Sequence, residues 1–182
     1  MINIYKLKLT GLQQEILRFL FVKAGKAFNA RQIARGLEVS QPAISKALPF
    51  LVKEGYLKVA KDKESGRLSI ELERGNPLVA GLKRAENLKM IYECGLAGFL
   101  DETFPGTVII LFGSYASGED IWRSDVDIAV IGAKERRLDL ERFEKALEKE
   151  VILQFYPSFR EIHRNLRHSI LNGITLKGVV EL

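Results

Sequence analysis

The stretch that most constrains this chain is residues 111–131, LFGSYASGEDIWRSDVDIAVI. The apolar run Val108-Ile109-Ile110-Leu111-Phe112 reads as a buried strand, and Gly113-Ser114 ends it at once. A short helix and a loop follow, and a second strand then opens with Asp125 and Asp127 before Ile128-Ala129-Val130-Ile131. Side chains two apart on a strand share a face. Two carboxylates on one face of an otherwise apolar strand are costly unless they meet cations. The pattern therefore points to a divalent-metal site, and the Gly-Ser turn upstream has the form of a phosphate cradle. Gly113 lets the backbone approach an anion closely. Ser114 brings a hydroxyl to a helix start, where free N–H groups face outward. Arg123 precedes the acids and reads either as a phosphate contact or as an exposed side chain.

The rest of the second half is laid out around that stretch. Asn76-Pro77 opens a helix running to about Cys94-Gly95, with Leu78, Leu82, Ala85, Leu88 and Ile91-Tyr92 as its expected apolar face. A further helical piece spans 96–102. Residues 138–150 form an amphipathic helix, 151–156 a strand, 158–172 a helix capped by Ser158, and 174–182 a last strand or tail. His163 and His168 are five apart, off a common helical face, and read as surface residues rather than ligands.

The first half has a different character. Residues 1–75 carry 14 Lys/Arg against 7 Asp/Glu, a net of +7, while residues 76–182 carry 14 against 16, a net of −2. Such asymmetry implies two modules with different partners, the basic one being the candidate for nucleic acid. Thr10, Asn29 and Ser40 are N-caps for helices over 11–24, 30–36 and 41–53. Pro49 predicts a kink or an early end in the third. Residues 56–59 and 67–72 read as the strands of a hairpin, turning through 61–66, and Lys26-Ala27-Phe28 as a stub of strand. The two modules meet near Arg74 to Pro77 with no Gly/Ser linker, which predicts a stiff join and domains of 1–75 and 76–182.

The phrase QIARGLEVSQPAISKALPFLVKEGYL, with three helices and a hairpin around it, resembles the winged helix-turn-helix of transcription regulators. That resemblance implies double-stranded DNA as a partner. Gln41, Ser45 and Lys46 would face base edges, and Lys58, Lys61, Lys63 and Arg67 would touch phosphates. The competing reading is a dimerisation or protein-contact module with solvated lysines; Asp62 and Glu64 dilute the charge of the hairpin. Winged-helix proteins often dimerise, and the helix over 76–94 serves equally as the seam of a homodimer or as core.

The run GSYASGEDIWRSDVDIAV resembles the signature of the DNA polymerase β-like nucleotidyltransferases, in particular the minimal nucleotidyltransferases and archaeal proteins that fuse one to a winged helix. The implied fold class is α+β: an N-terminal winged helix, then a nucleotidyltransferase-fold domain with a small mixed sheet flanked by helices. The implied activity is Mg²⁺- or Mn²⁺-dependent transfer of a nucleoside monophosphate from an NTP, with ATP expected, to an acceptor hydroxyl that includes protein side chains. Asp125 and Asp127 would be catalytic metal ligands, and Gly113, Ser114 and Arg123 would bind nucleotide. One departure stands out. The family carries a third carboxylate on the strand after the next helix, where this chain has Ile152 or Gln154, with Glu150 just before. The alternative is therefore a DNA-binding regulator whose nucleotide site is catalytically weak or inactive. Cys94 is the single cysteine, the start MINIYKLKLT lacks the design of a signal peptide, and no apolar run reaches a membrane span. A cytoplasmic location, away from membranes, is expected.

Overall fold

The computed structural model describes residues 8–61 and 68–180. It divides into two compact units, Met1–Val79 and Ala80–Leu182. Among the described residues no helix is long and apolar enough to cross a membrane.

In the first unit the helix starts are set by side-chain caps. Thr10 and Gln13 form a reciprocal capping box at the start of α1 (Gly11–Val22), and Asn29 and Gln32 form another at α2 (Ala30–Gly36). Ser40 caps α3 (Gln41–Lys53), with Pro42 in its first turn. The helix runs on past Pro49, where the sequence predicts a kink or an early end. Pro49 faces solvent, while Leu48 and Leu51 on either side are buried, and bonds from Glu54 N to Phe50 O and from Tyr56 N to Leu51 O close the last turn. Strands β1 (Leu57–Lys61) and β2 (Leu68–Leu72) pair antiparallel, and Phe28 adds a two-bond bridge to Ile70. Ile16, Leu20, Ile33, Ile44, Leu51 and Ile70 fill the core between helices and hairpin. Three helices and a hairpin around one core make a winged helix. Lys63, Arg67 and the hairpin turn lie outside the described residues.

The second unit is a four-stranded mixed sheet with helices around it. After α4 (Pro77–Glu93) and α5 (Leu96–Thr103) come β3 (Val108–Phe112), α6 (Gly113–Ser117), β4 (Val126–Ile131), α7 (Glu141–Leu147), β5 (Val151–Tyr156), α8 (Arg164–Leu171) and β6 (Ile174–Lys177). The strand order is β5-β4-β3-β6, with β4 and β5 parallel and β3 antiparallel to both its neighbours. Ile110, Phe112, Ala129 and Ile131 on one face pack against Phe159, Ile162 and Ile170.

Two expected helices are shorter than their patterns. The stretch from Ser158 forms only a 3-10 turn at Phe159–Glu161, because Ile162 is extended and 1% exposed in the core, so α8 starts at Arg164. Helix α7 begins three residues late, after Asp139 accepts a bond from Glu141 N, and ends at Glu148, which adopts φ 52°.

Gly118 closes α6 at φ 79°, and a Cβ there would lie 2.3 Å from Ala80 O and 2.8 Å from Arg84 N of α4. The helix backbone allows no side chain at this crossing. Gly118→Ala is expected to destabilise the second unit by about 2 kcal/mol or more, since it combines left-handed strain with overlap on backbone atoms. Chemical denaturation of the full chain checks this.

Candidate functional site

Phe112 is the last residue of β3 and pairs with Asp127 of β4. The chain then turns through Gly113 at φ 73°, and a Cβ at this position would lie 2.7 Å from Asp127 Oδ2. Glycine is thus required twice over, by backbone conformation and by the carboxylate packed against it. Asp127 is half-buried and Asp125 exposed. Burial, and secondarily the charge of Asp125, push the Asp127 carboxyl above its ordinary range. Ser114 is partly buried, and its carbonyl accepts bonds from Glu119 N and Asp120 N at 3.0 and 3.2 Å. Gly113, Ser114, Asp125 and Asp127 therefore belong to one strand-end cluster. Arg123 is exposed and stacks on the Trp122 ring at 4.4 Å.

The parallel register of β4 and β5 sets Ile152 beside Asp127 and Gln154 beside Ala129. Gln154 Oε1 accepts the Tyr156 hydroxyl at 2.7 Å. Glu150 is exposed, and its carbonyl accepts Val126 N at 2.8 Å. Among the described residues no group of three His, Cys, Asp or Glu could hold a metal ion. The donor set is a carboxylate pair without nitrogen or sulfur, which fits a hard divalent cation that completes its shell with phosphate and water oxygens. His163 precedes α8, and both it and His168 are exposed.

Behind this cluster lies a second one that sequence patterning does not single out. Asp120 is fully buried, and its Oδ1 accepts from Lys83 Nζ and, at 2.7 Å, from Asn87 Nδ2. Lys149 Nζ stands 3.2 Å from Oδ2, an ion pair rather than an aligned hydrogen bond. Asn87 Nδ2 also bonds Tyr115 O at 2.8 Å. Lys149 Nζ donates to Ile121 O at 2.6 Å and to Ser124 O at 3.4 Å. Both lysines flank the buried Tyr115 ring, at 6.0 and 5.9 Å. The buried residues of α4 are accordingly Val79, Lys83, Asn87, Met90 and Ile91, while Leu78, Ala85 and Tyr92, expected inside, are exposed. The spacing of four between Val79, Lys83, Asn87 and Ile91 was the available signal.

In the winged helix, Gln41, Ser45 and Lys46 are exposed along α3. Gln41 and Ser45 line a groove of about 370 Å³ together with Asn29, Ala30, Arg31 and Leu68. Arg31, not anticipated from sequence, brings a cation to it. On β1, Lys58 is paired with Glu71 at 3.3 Å, and Lys61 is exposed at the strand end.

Residues 93–175 match the family model of the nucleotidyltransferase domain. The second unit carries a nucleotidyltransferase domain. In the N-terminal part the chain is similar to the transcriptional regulator AdcR of Streptococcus pneumoniae, at 40% identity over 60 residues, 33% of this chain. The chain spans 39% of the length of that relative. Among solved structures it is similar to the adhesin competence repressor AdcR of Streptococcus pyogenes, with TM-score 0.43 and 25% identity over 57% of this chain and 72% of that one. It is also similar to a mutant form of Lactococcus lactis ZitR, with TM-score 0.42 and 19% identity over 57% and 68%.

The nucleotidyltransferase domain holds Asp127 against its preferred ionisation. A carboxyl whose folded-state pKa is raised binds its proton more tightly folded than unfolded, so stability falls as pH rises from the unfolded value through the raised one. Asp127→Asn is therefore expected to melt higher than the parent at neutral pH, with the gap closing below about pH 4. Thermal melts across that range, without added divalent ions, check this.

Proposed function

We propose that the nucleotidyltransferase domain binds a divalent-metal NTP complex and transfers its nucleoside monophosphate to an acceptor hydroxyl, with Mg²⁺ or Mn²⁺ as the ion and ATP as the expected donor. The observation that carries this is the half-buried Asp127, set beside Asp125 and pressed on the side-chain-free Gly113. The bare backbone at Gly113-Ser114 leaves room for phosphate oxygens next to the carboxylates. Asp125 and Asp127 would hold the ion, which when bound supplies charge neutralisation for the phosphoryl group and the departing pyrophosphate. Arg123, at the exposed mouth of the loop, would meet the phosphate tail. The acceptor includes a protein side chain, as the minimal nucleotidyltransferases suggest.

A second reading is favoured by one observation, the register that sets Ile152, and no third carboxylate, beside Asp127 on β5. An aliphatic side chain neither ligates a metal nor accepts a proton. On this reading the domain binds nucleotide with little or no turnover, and the winged helix carries the output.

For the winged helix we propose double-stranded DNA as the partner. The likeness to a protein described as a transcriptional regulator supports it, as do the net charge of +7 over residues 1–75 and the exposed Gln41, Ser45 and Lys46 on α3. Lys58 contributes less than its charge suggests, because Glu71 already pairs with it.

Two experiments test these readings. Incubation with α-labelled NTPs, Mg²⁺ and lysate is expected to give labelled acceptor, and Asp125→Ala/Asp127→Ala to abolish it. Tight Mg-NTP binding with no transfer by the parent would establish the second reading instead. Duplex affinity is expected to fall steeply with salt, and Lys46→Glu/Lys61→Glu to weaken it and flatten the log–log slope by about one per lost phosphate contact. Unchanged affinity in that variant would remove the DNA assignment.

A further inference from the structure

We propose that Lys149 is a positioning residue of the nucleotide site, acting through the loop that delivers Asp125; the inference rests on the nucleotide-site reading above. The loop 119–124 spans most of the gap between the Gly-Ser turn and the carboxylate pair, and both of its ends are tied down. At its start, Glu119 N and Asp120 N bond Ser114 O at 3.0 and 3.2 Å. At its end, Lys149 Nζ donates to Ser124 O at 3.4 Å, on the residue before Asp125, and to Ile121 O at 2.6 Å. The same ammonium group is the ion-pair partner of Asp120 Oδ2 at 3.2 Å. One buried cation thus joins Asp120, whose N–H is fixed to Ser114, to Ser124, whose carbonyl leads into Asp125. The distance between the phosphate-facing turn and the metal-facing carboxylate is set by this chain of contacts.

Lys149 is itself held from two sides. Glu148, at φ 52°, ends α7 and turns the chain back toward the sheet, and Lys149 N bonds Glu144 O at 3.2 Å. Two residues on, Val151 enters β5 in register with Val126 of β4, while Val126 N bonds Glu150 O at 2.8 Å. The Lys149 side chain is 1% exposed. A buried ammonium held by two carbonyl acceptors and an ion pair is fixed in place. The bond to Ser124 O is long, and the short one to Ile121 O carries most of the restraint.

Lys83 makes a direct comparison possible. It reaches Oδ1 of the same carboxylate, but from α4. Lys149→Met leaves Asp120 with Lys83 and Asn87, and Lys83→Met leaves it with Lys149 and Asn87. Each variant keeps one cation on the buried carboxylate, so neither strands it unpaired. Trp122, the single tryptophan of the chain, lies in the loop and reports its state.

The test uses the full chain and Mn²⁺ alone, with free Mn²⁺ counted by electron paramagnetic resonance and Trp122 emission and quenching by acrylamide recorded in parallel. Lys149→Met is expected to weaken Mn²⁺ binding by about tenfold or more, the size seen for residues that orient metal ligands, and to red-shift Trp122 and raise its quenching. Lys83→Met is expected to stay near the parent in both readouts at a similar melting temperature. Parent-like Mn²⁺ binding by Lys149→Met, or equal weakening in both variants, would overturn the proposal. If the parent itself takes up no Mn²⁺, the nucleotide-site reading fails, and the Trp122 arm decides the loop: unchanged emission and quenching in Lys149→Met would overturn the positioning role on their own.

Discussion

The buried carboxylate of Asp120, with a lysine on either side, is the interaction on which the nucleotidyltransferase domain depends. A buried carboxylate and two buried ammonium groups are expensive without hydrogen bonds to their donors and acceptors. The structure supplies most of them from four separate segments, Lys83 and Asn87 on α4, Tyr115 on α6, the carbonyls of Ile121 and Ser124, and Lys149 between α7 and β5, and leaves Asp120 Oδ2 with the Lys149 ion pair. An apolar core would tolerate small slips between these segments, because dispersion is non-directional. A polar cluster of this kind does not, since each displaced donor is left without a partner. Through Lys149 and the loop it holds, the cost of burying charge is converted into a fixed relation between the Gly-Ser turn and the carboxylate pair. Asp127 shows the complementary situation. Its carboxyl is half-buried and opposed by the charge of Asp125. One acid has its cations built in, and the other has a like charge beside it.

How much of this could be read from the chain depended on how local each feature was. The Gly-Ser turn and the Asp pair lie within fifteen residues, with strand-forming runs on both sides, so strand and turn followed from spacing alone, although β4 starts at Val126 and leaves Asp125 just ahead of it. The caps at Thr10, Asn29 and Ser40 were equally local, and the helices start where they place them. The face of α4 was not legible in the same way. Apolar residues at helical spacing pointed to Leu78 and Tyr92, but the partner that selects the buried face is Asp120, more than thirty residues downstream and polar. A search for apolar stripes passes over a lysine and an asparagine that are buried because of something elsewhere in the fold. Pro49 and Ile162 show the same effect at smaller scale. Flanking buried leucines carried the helix past the proline, and the demand of the core for Ile162 stopped a helix that periodicity would have continued.

The position of the absent third carboxylate also lay beyond sequence alone, which left Ile152 and Gln154 as equivalent. The β4–β5 register separates them. Ile152 stands beside Asp127, whereas Gln154 lies one pair further along, beside Ala129 and bonded to Tyr156. The side chain beside Asp127 is therefore an isoleucine, and the amide of Gln154 bonds Tyr156 within β5.

The two units also differ in how far apart their partners lie along the chain. In the winged helix the capping boxes close over three residues, the hairpin pairs neighbouring segments, and the Phe28–Ile70 bridge is the longer closure. In the nucleotidyltransferase domain β3 pairs with β6 across almost everything between them, and β4 meets β5 only after a helical crossover. Contacts of long sequence separation form slowly, because loop entropy is lost before they are made. The winged helix should thus reach its native state while the sheet is still assembling. For that interval the chain presents a completed basic module beside a second half whose strand edges are still unpaired, and the order in which the two become competent is written into their topology.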